Sequence, residues 1–312
     1  MEDGTLMHIL VSGLANVEAN APVRQFPVDY YPIDYPFFGV NVDVSGVGVN
    51  VAKALTTLGD SVDLCSYVGD DACGRMVLNE LADEGIDTRN IRTSLKATPT
   101  SVVLHDPSGR RQIYCDLKDI QDCRYPADRG LFQDCDIAVL CNIAFNRDLL
   151  GAARAAGVPI ATDVHTLSNV NDEYNHDFIV NADVLFLSNE AVKGHEAEFL
   201  QELAAVSPAR VLVMGCGEQG VCFIDRSGLG TDTADTADVV VDSLPACHVD
   251  DVVNTVGAGD ALFAAFVHYR VQGLPVRDAL QRAQAFAALK IRVDGAAQGF
   301  VSEEEVESFL AV

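Results

Sequence analysis

The sequence predicts an α/β domain whose mostly parallel sheet is doubly wound, with helices flanking the sheet. Short apolar runs alternate with helical stretches from about residue 137 onward, which is the pattern of βαβ units. Near the C-terminus, a glycine-rich loop opens a long apolar stretch with helical spacing. A length of 312 residues suits one large domain or two medium ones, and no internal repeat divides it. We expect a single domain over residues 1–312.

The first strand is predicted at residues 6–14, and polar residues follow it. Asn16 and Glu18 come directly after this apolar run. In an open α/β sheet, ligands bind beyond the carboxyl ends of the strands. The two side chains are two positions apart, so they point the same way if the chain stays extended there. The alternative is an ordinary polar loop.

Residues 26–39 are dense in proline and aromatic side chains. Prolines at this density exclude a helix and suit edge strands or an extended flap. So many aromatic residues are too many for a solvated loop. We therefore expect a flap or lid that covers a substrate or contacts another subunit. Ordinary core packing is the alternative.

Residues 45–115 are predicted to contain two helices, a strand and a hairpin. A glycine turn at Ser45 and Gly46 opens an amphipathic helix that ends at Gly59, and Asn50 lies in the first turns of this helix. A strand over 61–68 follows, and then a helix that ends at Gly85. Two strand-like runs, 100–105 and 111–115, flank a turn signal, so a hairpin is expected that belongs to the same flap as residues 20–45.

The C-terminal part supplies the remaining elements. Strands are predicted at 137–141, 158–163, 184–187, 211–214 and 221–224. A helix that follows Asp260 is expected to end near Gly273, and a second is expected from Pro275 to about residue 293. A third begins at Ser302, which is spaced from Glu305 as in a capping box.

The loop at residues 254–260 carries the candidate chemistry. Gly257, Ala258 and Gly259 have little or no side chain, so a ligand can approach their backbone N–H groups closely. Those groups lie at a helix N-terminus, which favours an anion. An anion hole beside the carboxylate of Asp260 suits phosphoryl transfer, with Asp260 taking a proton from the attacking hydroxyl. The alternative is a tight helix start in which Asp260 only complements the helix dipole.

The charge of the chain bounds its partners. The formal net charge is −25 and the sequence pI is about 4.4, which argues against nucleic-acid and anionic-membrane partners. No apolar run approaches membrane-spanning length, and the N-terminus has no signal-peptide pattern. We expect a soluble, cytoplasmic protein.

These residues together resemble the ribokinase-like, or PfkB, family of sugar and nucleoside kinases over nearly the whole chain. Residues 254–260 are similar to the family's D-T-x-G-A-G-D signature, and residues 45–50 to its G-G-x-x-x-N turn. Residues 13–18 resemble the first-strand G-x-x-N-x-D, and residues 69–74 resemble G-x-D-x-x-G. Residues 217–220 resemble the glycine turn near the nucleotide, and residues 294–296 a late turn beside the adenine. The six motifs occur in the family's order.

The resemblance implies a ribokinase-like fold with a small β lid formed by segments at about 17–45 and 92–118. In many members this lid is also the dimer surface, so a homodimer through the lid is expected. The implied activity is ATP-dependent phosphorylation of a primary hydroxyl, with Asp260 as the base and the N–H groups of residues 257–259 as the anion hole. Mg²⁺ would bridge the phosphates, and family members often use a monovalent cation, for which K⁺ is the candidate, near the signature loop.

The resemblance also implies binding residues. Those for the hydroxyl-bearing substrate are Asn16, Glu18, Gly46 and Asn50. Those for the nucleotide are Asn189, Gly217, Gly220, Thr255 and Gly295.

Four positions depart from the family's pattern. Asn254 replaces the first acid of the signature, where the cation loop is implied, and Ser45 replaces the first glycine of the N-terminal pair. The substrate acid is Glu18, one methylene longer than Asp. The family's N-x-x-E, which helps to organise Mg²⁺, appears as residues 189–192 with valine at the acid's place. Glu190 is therefore the candidate metal residue.

Three hypotheses for function follow. The first is a sugar kinase of the ribokinase or fructokinase type. The second is a nucleoside kinase on the same fold, because the aromatic flap offers flat surfaces on which a base could stack. The third is a binding protein for sugar or nucleotide that kept the fold and lost the chemistry. The sequence does not name the acceptor.

Overall fold

The structure is a computed structural model that describes residues 6–228 and 239–311. In chain order its strands are β1 (His8–Ser12), β2 (Asn16–Pro22), β3 (Asn41–Ser45), β4 (Ser61–Gly69), β5 (Ile91–Leu95), β6 (Thr100–His105), β7 (Arg111–Asp116), β8 (Ile137–Leu140), β9 (Ile160–Thr166), β10 (Val184–Ser188), β11 (Val211–Gly215), β12 (Val221–Asp225) and β13 (Asp242–Leu244). Its α-helices are α1 (Val47–Thr57), α2 (Ala72–Asp83), α3 (Arg147–Ala156), α4 (His176–Asn181), α5 (Glu196–Val206), α6 (Ala258–Val271), α7 (Val276–Lys290) and α8 (Glu303–Leu310).

Among the described residues, nine strands form one large sheet in the order β13-β12-β11-β10-β9-β8-β1-β4-β5. All neighbours from β11 to β5 are parallel, and β12 and β13 extend the sheet antiparallel at one edge. The change of direction has a local cause, because the short turn at residues 216–220 can join β11 to β12 only as a hairpin. The predicted fold class, a mostly parallel α/β sheet flanked by helices, is confirmed.

The large sheet buries apolar side chains on both faces. Successive residues of β1 alternate between them: Ile9 and Val11 pack in one apolar cluster, and Leu10 packs in the other. The first cluster includes buried residues of α1, α2, α6, α7 and α8, and the second includes buried residues of α3, α4 and α5. This double covering explains why the strands appear in the sequence as continuous apolar runs rather than as alternating ones.

A second, smaller sheet has the order β3-β2-β6-β7. β2 pairs with β6 in parallel, and the two outer pairs are antiparallel. Only residues 13–15 separate β1 from β2, so the two sheets are joined directly at this point. Gly13 fits there because a Cβ would lie 2.6 Å from the Cys141 sulfur and 2.8 Å from the Gly48 Cα. The hairpin predicted at residues 100–115 is present as β6 and β7.

The structure tests several of the local predictions. The five strands predicted after residue 137 are present as β8 to β12, and the Ser302 and Glu305 capping box is formed at α8. Residues 16–22 form a strand rather than a polar loop. The strands β5 and β13 were not predicted, because both are short edge strands with little apolar pattern. No helix among the described residues is both long and apolar enough to span a bilayer.

Candidate active site

The loop before α6 presents backbone N–H groups at the start of that helix. Gly257 is left-handed (φ 77°), and a Cβ there would lie 2.2 Å from the carbonyl oxygen of Ala296. Within residues 6–228 and 239–311, the N–H groups of Gly257, Gly259 and Asp260 donate to no protein acceptor, whereas that of Ala258 donates to the Thr255 carbonyl at 3.3 Å. The helix therefore begins with a set of available donors, which suits an anion.

Ala258 differs from the other members of the predicted anion hole. Its N–H closes the turn with Thr255, so that hydrogen would have to leave its present acceptor before it could bind a phosphate. The N–H of Asp260, which the sequence did not single out, is available in its place among the described residues. Gly259 is exposed and has open space where a side chain would stand.

Asp260 lies half-buried in the first turn of α6. The Nδ2 of Asn50, in α1, donates a hydrogen bond of 2.6 Å to its Oδ2. Removal from water raises the pKa of Asp260 to about 6, and the nearby Asp163 carboxylate adds to this effect. The positive charge of His165 and the hydrogen bond from Asn50 oppose it. A carboxylate with its pKa near neutrality is well matched to accept a proton from an alcohol.

Asp163 and His165, at the carboxyl end of β9, stand beside this carboxylate. One side-chain oxygen or nitrogen from each of Asp163, His165 and Asp260 lies within 4.8 Å of the other two. His165 adopts a left-handed conformation (φ 56°), and its N–H donates to the Asp163 Oδ1 at 2.7 Å. From its position after Asp163 at a predicted strand end, His165 could be read in the sequence as a second acid–base group, but an ordinary loop histidine was the preferred interpretation, and Asp163 was given no role. Their position at the end of a parallel strand is the signal that could have found them.

Two of the residues expected to bind the sugar, Asn16 and Glu18, lie on one face of β2. Ser101 in β6 joins them: its Oγ accepts from the Asn16 Nδ2 at 2.9 Å and donates to the Glu18 Oε2 at 3.2 Å. The Asn16 Oδ1 is buried and has no hydrogen-bond partner in the described part of the chain. Burial raises the pKa of Glu18, and hydrogen bonds from Asn20 and Ser101 partly offset that rise. A buried acceptor without a donor is well placed to bind a ligand hydroxyl.

Gly46 and Asn50 connect this face to the base. Gly46 has φ 103°, and a Cβ there would lie 2.5 Å from the Leu14 carbonyl oxygen and 3.2 Å from the Asn16 Oδ1. Glycine at this position therefore keeps the space beside Asn16 clear. Asn50 contacts the base Asp260 directly and accepts a 3.3 Å hydrogen bond from Ser45 on its Oδ1.

A cavity of about 390 Å³ opens beside these residues. Both apolar and polar side chains line it: Leu14, Val47, Leu117, Gln121, Cys141, Asn142, Ile143, His165 and Tyr174. Its size is that of a small-molecule site, and its mixture of apolar walls with a few polar groups is typical of one. His165 belongs both to this cavity and to the cluster around Asp260, so the cavity adjoins the candidate base.

The residues expected around Mg²⁺ are arranged differently from the prediction. The Nδ2 of Asn189 donates to the Glu196 Oε1 at 2.8 Å, and the Gly194 N–H donates to the Oε2 of the same carboxylate at 3.0 Å. These bonds lower the pKa of Glu196. Glu190 is exposed, and its side chain makes no hydrogen bond to the described residues. The carboxylate beside Asn189 is therefore Glu196, seven positions along the chain rather than one.

The other residues predicted to bind the nucleotide are glycines and one threonine at turns. Gly217 and Gly220 lie in the hairpin between β11 and β12, where a Cβ on Gly220 would lie 2.1 Å from the Leu244 carbonyl oxygen. Thr255 is exposed in the loop before α6. Gly295, with φ 95°, follows Asp294 in the turn after α7, and its carbonyl accepts a hydrogen bond from Lys290.

The family description "pfkB family carbohydrate kinase" matches residues 7–303. This range contains both halves of the site, from Asn16 to the turn at Gly295. The chain belongs to the PfkB family of carbohydrate kinases. The resemblance seen in the sequence is thereby confirmed, and the enzyme class is that of a kinase acting on sugar hydroxyls.

Two curated PfkB relatives illustrate the range of the similarity. A 2-dehydro-3-deoxygluconokinase from Bacillus subtilis (strain 168) is 27% identical over 298 residues, which covers 86% of each chain. A ribokinase from the same organism is 26% identical over 287 residues, covering 85% of this chain and 87% of the relative.

Solved structures share the fold of this PfkB protein at lower identity. A microbiome-derived acarbose kinase superimposes with a TM-score of 0.83 at 23% identity, covering 98% of this chain and 99% of the other. An Arabidopsis thaliana ribokinase complexed with ribose and ATP gives 0.79 at 19% identity, with coverages of 99% and 100%. A Burkholderia thailandensis nucleoside kinase in complex with inosine gives 0.77 at 17%, with 97% of both chains covered.

Proposed function

We propose that the protein transfers the γ-phosphoryl group of ATP to a primary hydroxyl of a sugar, with Asp260 as the general base. The observation that carries this proposal is one arrangement at the start of α6. A half-buried carboxylate whose pKa is raised to about 6 stands beside the available N–H groups of Gly257, Gly259 and Asp260. Carboxylate and amides together supply a proton acceptor and a cradle for phosphate charge.

We expect the acceptor sugar to bind between β2 and α6. The unpartnered Asn16 Oδ1 would accept a hydrogen bond from a sugar hydroxyl, and the Glu18 carboxyl on the same face would bind a second one. Gly46 leaves room for the ring beside Asn16. Asn50 holds the Asp260 carboxylate in place through its 2.6 Å hydrogen bond.

The nucleotide is expected on the other side of the loop, along Asn189, Gly217, Gly220, Thr255 and Gly295. The donor set fits phosphate, because the helix start offers amides without acceptors in the described ranges. A second pair of groups fits a hydrated Mg²⁺, because Asn189 and Glu196 present an amide and a carboxylate together. Bound Mg²⁺ would supply neutralisation of phosphate charge, and Glu196 is a better candidate than Glu190 to hold it.

A nucleoside is the second candidate acceptor. One observation favours it: the cavity next to Asp260 has an aromatic wall at Tyr174, on which a base could stack. The aromatic residues of the flap could add to this wall if the small sheet closed over the cavity, as a lid formed by residues 17–45 and 92–118 would do. Closure would also exclude water from the reacting groups. A binding protein without catalysis is the third possibility, and the intact base argues against it.

The small sheet and flap expose an apolar surface, which we propose is covered by the same surface of a second copy. Phe37 is 83% exposed and Tyr30 is 88% exposed, far more than is usual for aromatic side chains. Other exposed apolar side chains of these segments are Ile33, Tyr35, Phe38, Val42, Val102, Ile113 and Tyr114. A two-fold contact would bury the patch against itself. Sedimentation of the protein beside a Tyr114→Glu variant tests this; dimers for the first and monomers for the second are expected.

Two further expectations concern the location of the protein and a monovalent cation. A cytoplasmic location follows from the sequence pattern and from the cytosolic supply of ATP that the reaction needs. A K⁺ ion near the signature loop is implied by the family resemblance, but the contacts of Lys290 described below argue against it.

One acceptor screen tests the proposed function. The protein is incubated with ATP and Mg²⁺ and a panel of pentoses, hexoses, deoxy keto sugar acids and nucleosides, and acceptor-dependent ADP release is measured. Turnover on a sugar but on no nucleoside supports the first candidate, and the reverse supports the second. ATP binding without acceptor-dependent ADP release anywhere in the panel would contradict both kinase assignments.

A further inference from the structure

A lysine ammonium is buried between the loop that carries the amides and the turn after α7. Lys290, at the end of α7, has no exposed surface. Its Nζ donates one hydrogen bond to the Val256 carbonyl and another, of 2.7 Å, to the Gly295 carbonyl. Lysine is rarely buried without a partner, because removing an ammonium from water is costly. This burial needs a specific reason.

The two carbonyls belong to the two segments that form the base of the anion hole. Val256 directly precedes Gly257, whose N–H is one of the available donors. Gly295 directly precedes Ala296, whose carbonyl is packed against the Gly257 Cα. Lys290 therefore joins the two segments immediately behind the amides. Because the Val256 carbonyl and the Gly257 N–H belong to the same peptide unit, this contact also fixes the direction of the Gly257 N–H.

The charges around Lys290 match this role. Burial lowers the pKa of Lys290 to about 8, and the negative charges of Asp260, Asp294 and Glu18 act against that lowering. An ammonium among these groups remains largely protonated near neutral pH. Asp294 is the acid of the adjoining turn, so the loop already contains one fixed positive charge and one fixed negative charge.

Asn254 fits the same pattern. Its Nδ2 donates to the Asp294 Oδ1 at 2.7 Å, and its Oδ1 accepts the Val256 N–H at 2.8 Å. An aspartate at residue 254, as in the family signature, would set a second carboxylate against Asp294 with no proton to share. The amide at this position removes one negative charge from a loop that holds its own cation.

The oxygen atoms around Lys290 do not fit a K⁺ ion. A monovalent cation in a protein is held by converging oxygen ligands, often backbone carbonyls. Two converging carbonyls of this loop are already bound by the Lys290 ammonium, and a second cation beside it would be repelled.

We propose that Lys290 is a positioning residue that replaces a monovalent cation with a tethered one, so that the phosphate-binding loop is formed without K⁺. The inference rests on the proposed function, because it treats the loop as the phosphate site. Lys290 acts through Val256 and Gly257 and not by touching a substrate.

The test compares KCl with tetramethylammonium chloride at equal ionic strength, which keeps the screening of the −25 net charge the same. Melting temperature and the affinity for ATP with Mg²⁺ are measured, neither of which needs an acceptor. For the unaltered protein we expect no difference between the two salts in either quantity. A clearly higher melting temperature in KCl than in tetramethylammonium chloride, or an affinity for ATP several-fold tighter in KCl, would overturn the proposal.

Lys290→Ala provides the second arm, since it leaves space where the ammonium stood. We expect weaker nucleotide binding and a lower melting temperature, with part of each loss restored by KCl and none by the bulky tetramethylammonium ion. The matched control is Lys53→Ala, because Lys53 is also buried but pairs with Glu80 of α2 and with Glu84, which follows that helix. It should lower the melting temperature without any salt-specific rescue.

The outcomes separate the two proposals. Unchanged nucleotide affinity in Lys290→Ala, or rescue by KCl of the Lys53→Ala control, would overturn the role of Lys290. If Lys290→Ala does not fold, the salt comparison on the unaltered protein still decides. If K⁺ changes neither the melting temperature nor the ATP affinity, and the protein binds ATP but phosphorylates no acceptor, the role of Lys290 stands and the proposed reaction is wrong.

Discussion

The Nδ2 of Asn50 donates a 2.6 Å hydrogen bond to the Oδ2 of Asp260, joining residues that are 210 positions apart in the chain. Asn50 comes from the glycine turn that opens α1, and Asp260 from the one that opens α6. The two helices also pack against each other through their apolar faces. The hydrogen bond therefore links the acceptor half of the site to the half that carries the base.

Replacing Asp260 by Asn should abolish most turnover while leaving nucleotide binding intact. Loss of a general base typically lowers the rate by roughly 10²- to 10⁴-fold. The amide keeps the shape of the side chain and can still accept from Asn50, so the loop should remain formed. The measurement is kcat with the acceptor found in the screen, beside the affinity for ATP. Near-normal turnover would remove Asp260 from the mechanism.

Turnover should fall as the pH drops through about 6, because Asp260 must be ionised to accept a proton and burial raises its pKa to that value. Below that point, kcat/KM should decrease by roughly tenfold per pH unit. The check is a pH–rate profile between about pH 4.5 and 8. A profile that stays flat down to about pH 4.5 would contradict the raised pKa of Asp260.

His165 should control where this acid limb lies. Its positive charge lowers the pKa of Asp260, so an uncharged residue in its place will move the limb to higher pH. His165→Asn is the suitable change, because asparagine tolerates the left-handed backbone at this position. The control is His248→Gln, which alters another histidine beside an aspartate, but one that is exposed. A limb that stays in place in the first variant would contradict the coupling.

Asp260→Asn should also melt at a higher temperature than the unaltered protein at pH 7. Between 3.8 and about 6 the folded protein holds a proton on Asp260 that the unfolded chain has lost. This carboxyl therefore lowers the free energy of unfolding as the pH rises through that window. The advantage of the amide should vanish below about pH 4, where both side chains are neutral. Asp70→Asn, which makes the same change at an exposed position, is the control variant.

Gly259→Ala and Gly151→Ala form a matched pair that tests the anion hole. Both glycines are helical, exposed and free of neighbours where a Cβ would stand, so alanine should add about 0.5–1 kcal/mol of stability at each. Only the methyl at residue 259 projects beside the amides that would hold phosphate. We expect weaker ATP binding and slower turnover for Gly259→Ala alone.

Gly257→Ala supplies the contrast to that pair. Here the Cβ would lie 2.2 Å from the Ala296 carbonyl oxygen on a left-handed residue, so the loop must shift and the protein should lose stability. Thermal melting of the three glycine variants distinguishes them. Equal stability of Gly257→Ala and the unaltered protein would show that the loop is looser than its packing implies.

Sequence patterns predicted the large sheet, its helices and the signature loop because each depends on local periodicity or on a short motif. What they could not supply were contacts made across the fold. Nothing near Glu196 in the sequence marks it as the partner of Asn189, since a turn of the chain brings it there. His165 likewise gains its importance only because β9 ends beside α6. The edge strands β5 and β13 were missed because both are short and neither carries a clear alternating or continuous apolar pattern.

The 210-residue separation between Asn50 and Asp260 has a consequence for biosynthesis. The buried side chains of α1, such as Val51 and Leu55, pack in a cluster that is completed by residues of α6. The ribosome synthesises α1 long before α6, so the apolar face of α1 stays uncovered through most of translation. We expect the nascent chain to depend on chaperones during that interval, and truncated products that stop short of α6 to aggregate.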